Sequence, residues 1–149
     1  MKTRKIIFAA VLAIGLAPLL TAADAEKSLF DRLGGKPAVQ AVAGDLIDRI
    51  LLDKRVNPWF AHAASSPENT AAYKAKLTDF LCQSTGGPCK YTGRDMVEAH
   101  KGRGVTAAAF NAVVEDLVAA LGKFKVPQRE QDDVLKLLGG LKTSIVQQP

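Results

Sequence analysis

Apolar residues recur at spacings of three and four in four separate stretches of this chain, and no run of strict alternation occurs, so it must build helices rather than sheets. The first stretch carries Val39, Val42, Ala43, Leu46, Ile50 and Leu51 on one face and runs through Asp53, with Pro37 where a first-turn proline is tolerated. The second opens at Ser65-Ser66-Pro67-Glu68, a capping serine ahead of a proline and an acid, and carries Tyr73, Leu77, Phe80, Leu81 and Ser84. Thr106 caps the third, whose stripe is Phe110, Val113, Val114, Leu117, Val118 and Leu121. Pro127 opens the fourth, with Val134, Leu135, Leu138, Leu141 and Ile145. Shorter pieces lie between: Leu29 to Leu33 before Gly34-Gly35, Trp59-Phe60 after Pro58, and Met96 to His100 before two further glycines. The expected class is all-α, one domain of four substantial helices without repeat or linker.

Not all of the 149 residues belong to that fold. Lys2, Arg4 and Lys5 make a basic start, Ile6 to Leu20 is apolar and uncharged, and Ala23 and Ala25 end the segment as Ala-x-Ala. That order describes a secretory signal peptide, residues 1–25, cleaved after Ala25 to leave a domain of residues 26–149. The apolar run falls short of the roughly 20 residues a spanning helix needs and contains Pro18. The expectation is an exported, periplasmic or secreted protein with no membrane insertion after cleavage.

Cleavage changes the charge. Basic residues against acids go from 20 against 15 to 17 against 14, so the net charge falls from +5 to +3. The cations that remain, Lys54, Arg55, Lys74, Lys76, Lys123 and Lys125 among them, are scattered rather than gathered on one face. A nucleic-acid footprint is not expected.

Cys82 and Cys89 flank Gly86-Gly87-Pro88, a turn able to bring them together. In an exported protein such a pair is a disulfide candidate, with two free thiols as the alternative. Neither a CxxC nor a CxxCH occurs, which disfavours a zinc finger and a covalently attached c-type haem.

Two histidines are present. His62 falls in a polar connection and reads as a surface residue. His100 shares a helix face with Met96 and precedes Gly102-Arg103-Gly104. No second His, Cys or carboxylate lies one turn away on that face, so zinc and di-iron sites lack support. Spacing alone leaves His100 open between a core residue and a metal ligand. A single protein ligand makes sense chiefly where a macrocycle fills the other positions on the metal.

Four segments together resemble the group I truncated haemoglobins: Ser28-Leu-Phe-Asp-Arg-Leu-Gly-Gly35, Phe80 to Pro88, Tyr91-Thr-Gly-Arg-Asp-Met96, and Ala99-His-Lys-Gly-Arg-Gly-Val-Thr106, followed by Phe110. The resemblance covers nearly the whole domain, and its most specific piece is Tyr91-x-Gly93-x2-Met96-x3-His100. It implies a two-on-two helical sandwich around haem b, iron protoporphyrin IX, with His100 as the iron ligand. It also implies that Met96, Val105 and Phe110 line the proximal and lateral pocket and that Tyr91 stands at the haem edge. Lys76 matches a position that reaches a haem propionate, a solvated lysine being the alternative.

On the distal side the resemblance implies that Ile47, Tyr73 and Leu77 face the iron, with Trp59 or Phe60 as a wall. Ile47 stands where many members have a tyrosine, and Leu77 where a glutamine is common. The usual donor pair is missing. Tyr73 could compensate, as a phenol donating to a bound ligand or as a phenolate on ferric iron; packing alone is the third option. The family thus implies a protein that binds oxygen or another diatomic ligand such as nitric oxide. The alternative is a haem redox enzyme, a nitric oxide dioxygenase or weak peroxidase with a redox partner. The absence of the Tyr-Gln pair, and of a distal His-Arg pair, favours ligand binding over a dedicated enzyme. A haem-free helical binding module is the third reading, and His100 with Met96 argues against it.

Overall fold

A computed structural model describes residues 27–147, and the expected leader (residues 1–25) lies outside them. Among the described residues there is no strand. The four long helices are α2 (Gly35–Leu52), α4 (Pro67–Ser84), α6 (Ala107–Lys123) and α7 (Gln128–Gly140). The short ones are α1 (Leu29–Leu33), α3 (Ala61–Ala64), α5 (Met96–His100) and α8 (Lys142–Ile145), with a 3-10 turn over Asn57–Phe60. No described helix is long and apolar enough to cross a membrane.

The helix starts follow from their caps. The hydroxyl oxygen of Ser66 accepts the amide of Asn69, and that of Thr106 accepts the amide of Ala109, each satisfying a first-turn donor that has no partner within its helix. Ser28 does the same for Asp31 in α1. α1 is then fixed from both sides: the amide of Phe30 donates to the carbonyl of Thr85 at 2.8 Å, and Arg32 pairs with Glu130 and Asp133 of α7.

Two pairs of long helices form the body. α2 lies along α4, α6 meets α7, and α2 crosses α6 to join the pairs. The main core gathers Val42, Leu46, Ile47 and Ile50 from α2, Val105 with Ala109, Ala112, Leu117, Ala120 and Leu121 around α6, and Val134 from α7. Ile47 and Leu121 are each 1% exposed, so truncating either to alanine should cost roughly 2–5 kcal/mol. A second cluster joins Phe30, Val39 and Cys82.

Three expectations are corrected. In α6 Val118 is 41% exposed, and the alanines at 109, 112 and 120 are buried instead. Small residues permit the close helix approach that an all-valine face would block. In α4 the buried residues are Thr78 and Cys82, while Leu77, Phe80 and Leu81 are half-buried and Tyr73 is exposed. Cys82 packs on Val39 of α2 with Leu81 beside it, while Leu77 turns to the main core. The last helix also breaks at Leu141 after Gly139-Gly140, since each glycine costs about 1 kcal/mol in a helix interior, and α8 completes the stripe with Ile145 against the core.

Candidate functional site

α5 has only five residues, and none of them is buried. Asp95 starts it, its carboxylate accepting the amide of Glu98 at 3.0 Å. His100 closes it, half-buried, with Nδ1 2.7 Å from the carbonyl oxygen of Met96. A carbonyl can only accept, so the proton of a neutral imidazole sits on Nδ1 and the Nε2 lone pair is left available. That is the tautomer of a metal ligand whose other nitrogen is held by the backbone. Among the described residues no group of three His, Cys, Asp or Glu side chains could hold a bare metal ion. A metal on His100 would have to bring most of its ligands with it, as the iron of a porphyrin does. The donor set fits haem.

A circuit of contacts and chain neighbours links this histidine to residues of α4 and of the 3-10 turn. Phe60 lies edge-on to Tyr73 with ring centroids 5.6 Å apart. Tyr73, Leu77 and Phe80 follow at helical spacing along one face of α4. Phe80 meets Tyr91 edge-on at 5.3 Å, and the Tyr91 hydroxyl donates to the carbonyl of Arg94 at 3.1 Å. Met96 and His100 come next, and the amide of Arg103 donates to the carbonyl of His100 at 3.1 Å. The Arg103 carbonyl then accepts the indole N–H of Trp59 at 3.0 Å, one residue from Phe60.

Local geometry explains the Tyr-x-Gly spacing. The Tyr91 ring folds back over Gly93 so closely that a Cβ there would fall 2.1 Å from the hydroxyl oxygen. Any side chain at 93 would expel the ring. The Tyr91 amide is meanwhile held by Gln83 Oε1 at 2.8 Å.

The other sequence-predicted site residues fall on both sides of the circuit. Ile47 is buried in the main core behind α4, and Leu77 packs against that core. Val105 and Phe110 are buried at the start of α6, and Lys142 Nζ lies 5.8 Å from the centre of the Phe110 ring. Trp59 and Phe60 pack against the main core from the 3-10 turn. Lys76 is exposed and makes no hydrogen bond or ion pair with the described residues, unlike Lys74, which pairs with Asp48 at 2.6 Å.

Tyr73 is 39% exposed, and its hydroxyl has no partner among the described residues. Burial raises its pKa above 10.0, Arg103 opposes that rise and Tyr91 adds to it. The phenol therefore stays neutral and able to donate near neutral pH. Sequence reasoning missed Phe80 and Arg103 as site residues. Phe80 could have been found from its position one turn beyond Leu77, whereas nothing local signals the Trp59–Arg103 bond.

Residues 28–147 match the family model described as bacterial-like globin. The group 1 truncated haemoglobin of Mycolicibacterium paratuberculosis is 31% identical over 79% of this chain and 83% of its own length. The chain belongs to the truncated haemoglobins. The truncated haemoglobin of Tetrahymena pyriformis, solved in its Fe(III) form, superposes with a TM-score of 0.72 at 28% identity, over 80% of this chain and 98% of that one. The 2/2 haemoglobin of Synechococcus sp., solved in the cyanomet state with covalently attached haem, gives a TM-score of 0.66 at 32% identity, over 76% and 91%. The two helix pairs are thus the two-on-two fold of the truncated haemoglobins. Membership implies a haem cofactor and the binding of diatomic ligands such as oxygen.

Proposed function

We propose that Nε2 of His100 holds the iron of a haem b and that the protein reversibly binds a diatomic ligand, oxygen or nitric oxide, on the opposite face. The observation that carries this is the 2.7 Å contact between His100 Nδ1 and the Met96 carbonyl, which frees Nε2 and fixes the ring. Held by His100 alone, haem would supply an iron able to take a diatomic ligand. The chain supplies the rest. Met96, Val105 and Phe110 exclude water from the histidine's side, and Tyr91 closes the edge. Ile47 and Leu77 keep the distal side apolar, with Phe60 and Trp59 as its wall. Tyr73 is its hydroxyl donor, and Lys76 stands ready for a propionate.

Export belongs to the same proposal. The leader of residues 1–25 directs the domain to the periplasm, where an oxidising environment keeps Cys82 and Cys89 joined. Recovery of a chain beginning at Glu26 from a periplasmic fraction tests this part.

The optical spectrum of the purified protein, oxidised and reduced, tests the whole. The expected result is a Soret band that His100→Ala abolishes or shifts to a weakly held state. A colourless protein that cannot be reconstituted with haem would overturn the proposal.

A further inference from the structure

We infer that the indole N–H of Trp59 is a strap that ties the segment carrying His100 to the distal connection and sets how long haem is retained. The inference rests on the haem reading above. Its basis is the way α5 is held. With no buried residue, α5 gains little from apolar burial and takes its position from hydrogen bonds. The chain after His100 passes through Gly102 and Gly104, at φ of 71° and 64°, where the backbone has wide freedom and needs an external tie.

Two ties are present. On one side Gln147 accepts the amide of Gly104 at 2.9 Å and donates its own amide to the carbonyl of Val105 at 2.9 Å, beside the contact of α8 with α5. On the other, Trp59 Nε1 donates to the carbonyl of Arg103 across 44 residues of sequence. Trp59 is suited to anchor because it is itself fixed. Its ring packs on the main core and its amide donates to the carbonyl of Val56 at 3.1 Å. Arg103 passes the restraint on, since its amide is bonded to the carbonyl of His100. Phe60, the next residue, lies against Tyr73 of α4. The pair Trp59-Phe60 therefore grips the proximal segment with one side chain and the distal helix with the other. Parting those two sides to release haem must break the indole bond. Trp59 is a positioning residue and acts on His100 through Arg103.

The chain contains a single tryptophan, so replacing tryptophan by benzothienylalanine during expression changes one indole N–H to sulfur and leaves the ring shape nearly intact. Trp59→Phe is the second variant. Both are loaded with haem, and transfer to excess apomyoglobin is followed at the Soret band. The iron–histidine stretch of the ferrous protein is recorded beside it. Losing one hydrogen bond should speed haem loss about three- to tenfold, and the iron–histidine band should shift or broaden. A merely structural role for the ring would leave that band unmoved in the benzothienyl protein. A haem-loaded protein whose loss rate and iron–histidine band ignore the sulfur substitution overturns the strap alone. An unsubstituted protein that takes up no haem overturns the haem reading and the strap with it.

Discussion

The ring of Tyr73 stands edge-on to that of Phe60, with planes at 71°, and this contact fixes the phenol while its hydroxyl remains without a partner among the described residues. Tyr73→Phe keeps the ring pair and removes only the donor. If the hydroxyl bonds a ligand in the distal space, oxygen release should quicken about three- to tenfold, the worth of one hydrogen bond. Stopped-flow release from the reduced protein measures this. Because burial holds the phenol's pKa above 10.0, release from the unsubstituted protein should not change between pH 6 and about 9. An off-rate indifferent to the substitution would reduce Tyr73 to packing.

The shared face of Tyr73, Leu77 and Phe80 was legible from helical spacing, and the two caps at Ser66 and Thr106 fix where their helices begin. The buried face of α2 was legible for the same reason: Val39, Val42, Ala43, Leu46 and Ile50 repeat with the helical period and are all buried. What pattern could not supply was the partner across space. Alanines 109, 112 and 120 outrank Val118 in α6 because the approach of α2 decides which face is inner. Arg32 reaches Glu130 and Asp133 about a hundred residues away, and Trp59 finds a backbone carbonyl that carries no sequence signature. Local chemistry reveals periodicity and caps, whereas long-range polar pairs depend on the finished fold.

The disulfide pairing Cys82 with Cys89 should matter for stability in proportion to the loop it closes. The cysteines are seven residues apart with Cα atoms 5.7 Å apart, and the loop leads directly to Tyr91. In the chain-entropy account such a link contributes about 2–3 kcal/mol. Reduction, or replacement of both cysteines by serine, should lower Tm by about 10 °C. Thiol titration of the unfolded protein without reductant should find none. Two reactive thiols in protein isolated from the periplasm would remove the bridge from the account.

Acid should weaken the fold through carboxylates held low by basic neighbours, Asp45, Asp53 and Asp133 among them. Burial alone would push Asp45 upward, but Lys123 and Arg49 overcome it and hold its pKa below 3.8. Arg55 lowers Asp53 and Arg32 lowers Asp133 in the same direction. A carboxylate whose folded pKa lies below its unfolded value contributes stability above the unfolded value and loses it as pH falls through the folded one. Tm should therefore fall steeply below about pH 4. Asp45→Asn should cost roughly 1.5 kcal/mol at pH 7 and make that fall shallower. Thermal unfolding from pH 2.5 to 7 checks both, and an unchanged slope in the variant would show that the pair is fully screened.

Asp116 should behave in the opposite way. Its Oδ2 is buried with no hydrogen-bond partner, and burial raises its pKa above 3.8; Asp53 and Glu115 add to the rise while Arg55 and Arg49 oppose it. A carboxyl with a raised folded pKa costs stability while ionised, and that cost disappears as pH falls through the folded value toward the unfolded one. Asp116→Asn keeps the shape and removes the charge, so it should stabilise the protein at pH 7 by about 1 kcal/mol, or roughly 3–6 °C in Tm. The gain should shrink through the window above pH 3.8 and vanish below it, opposite in sign to the loss expected for Asp45→Asn. Paired melts of the variant and the unsubstituted protein across pH 3–8 decide the matter. A constant difference between them would mean that Asp116 keeps its charge in the folded state without cost, and that the substitution acts through packing.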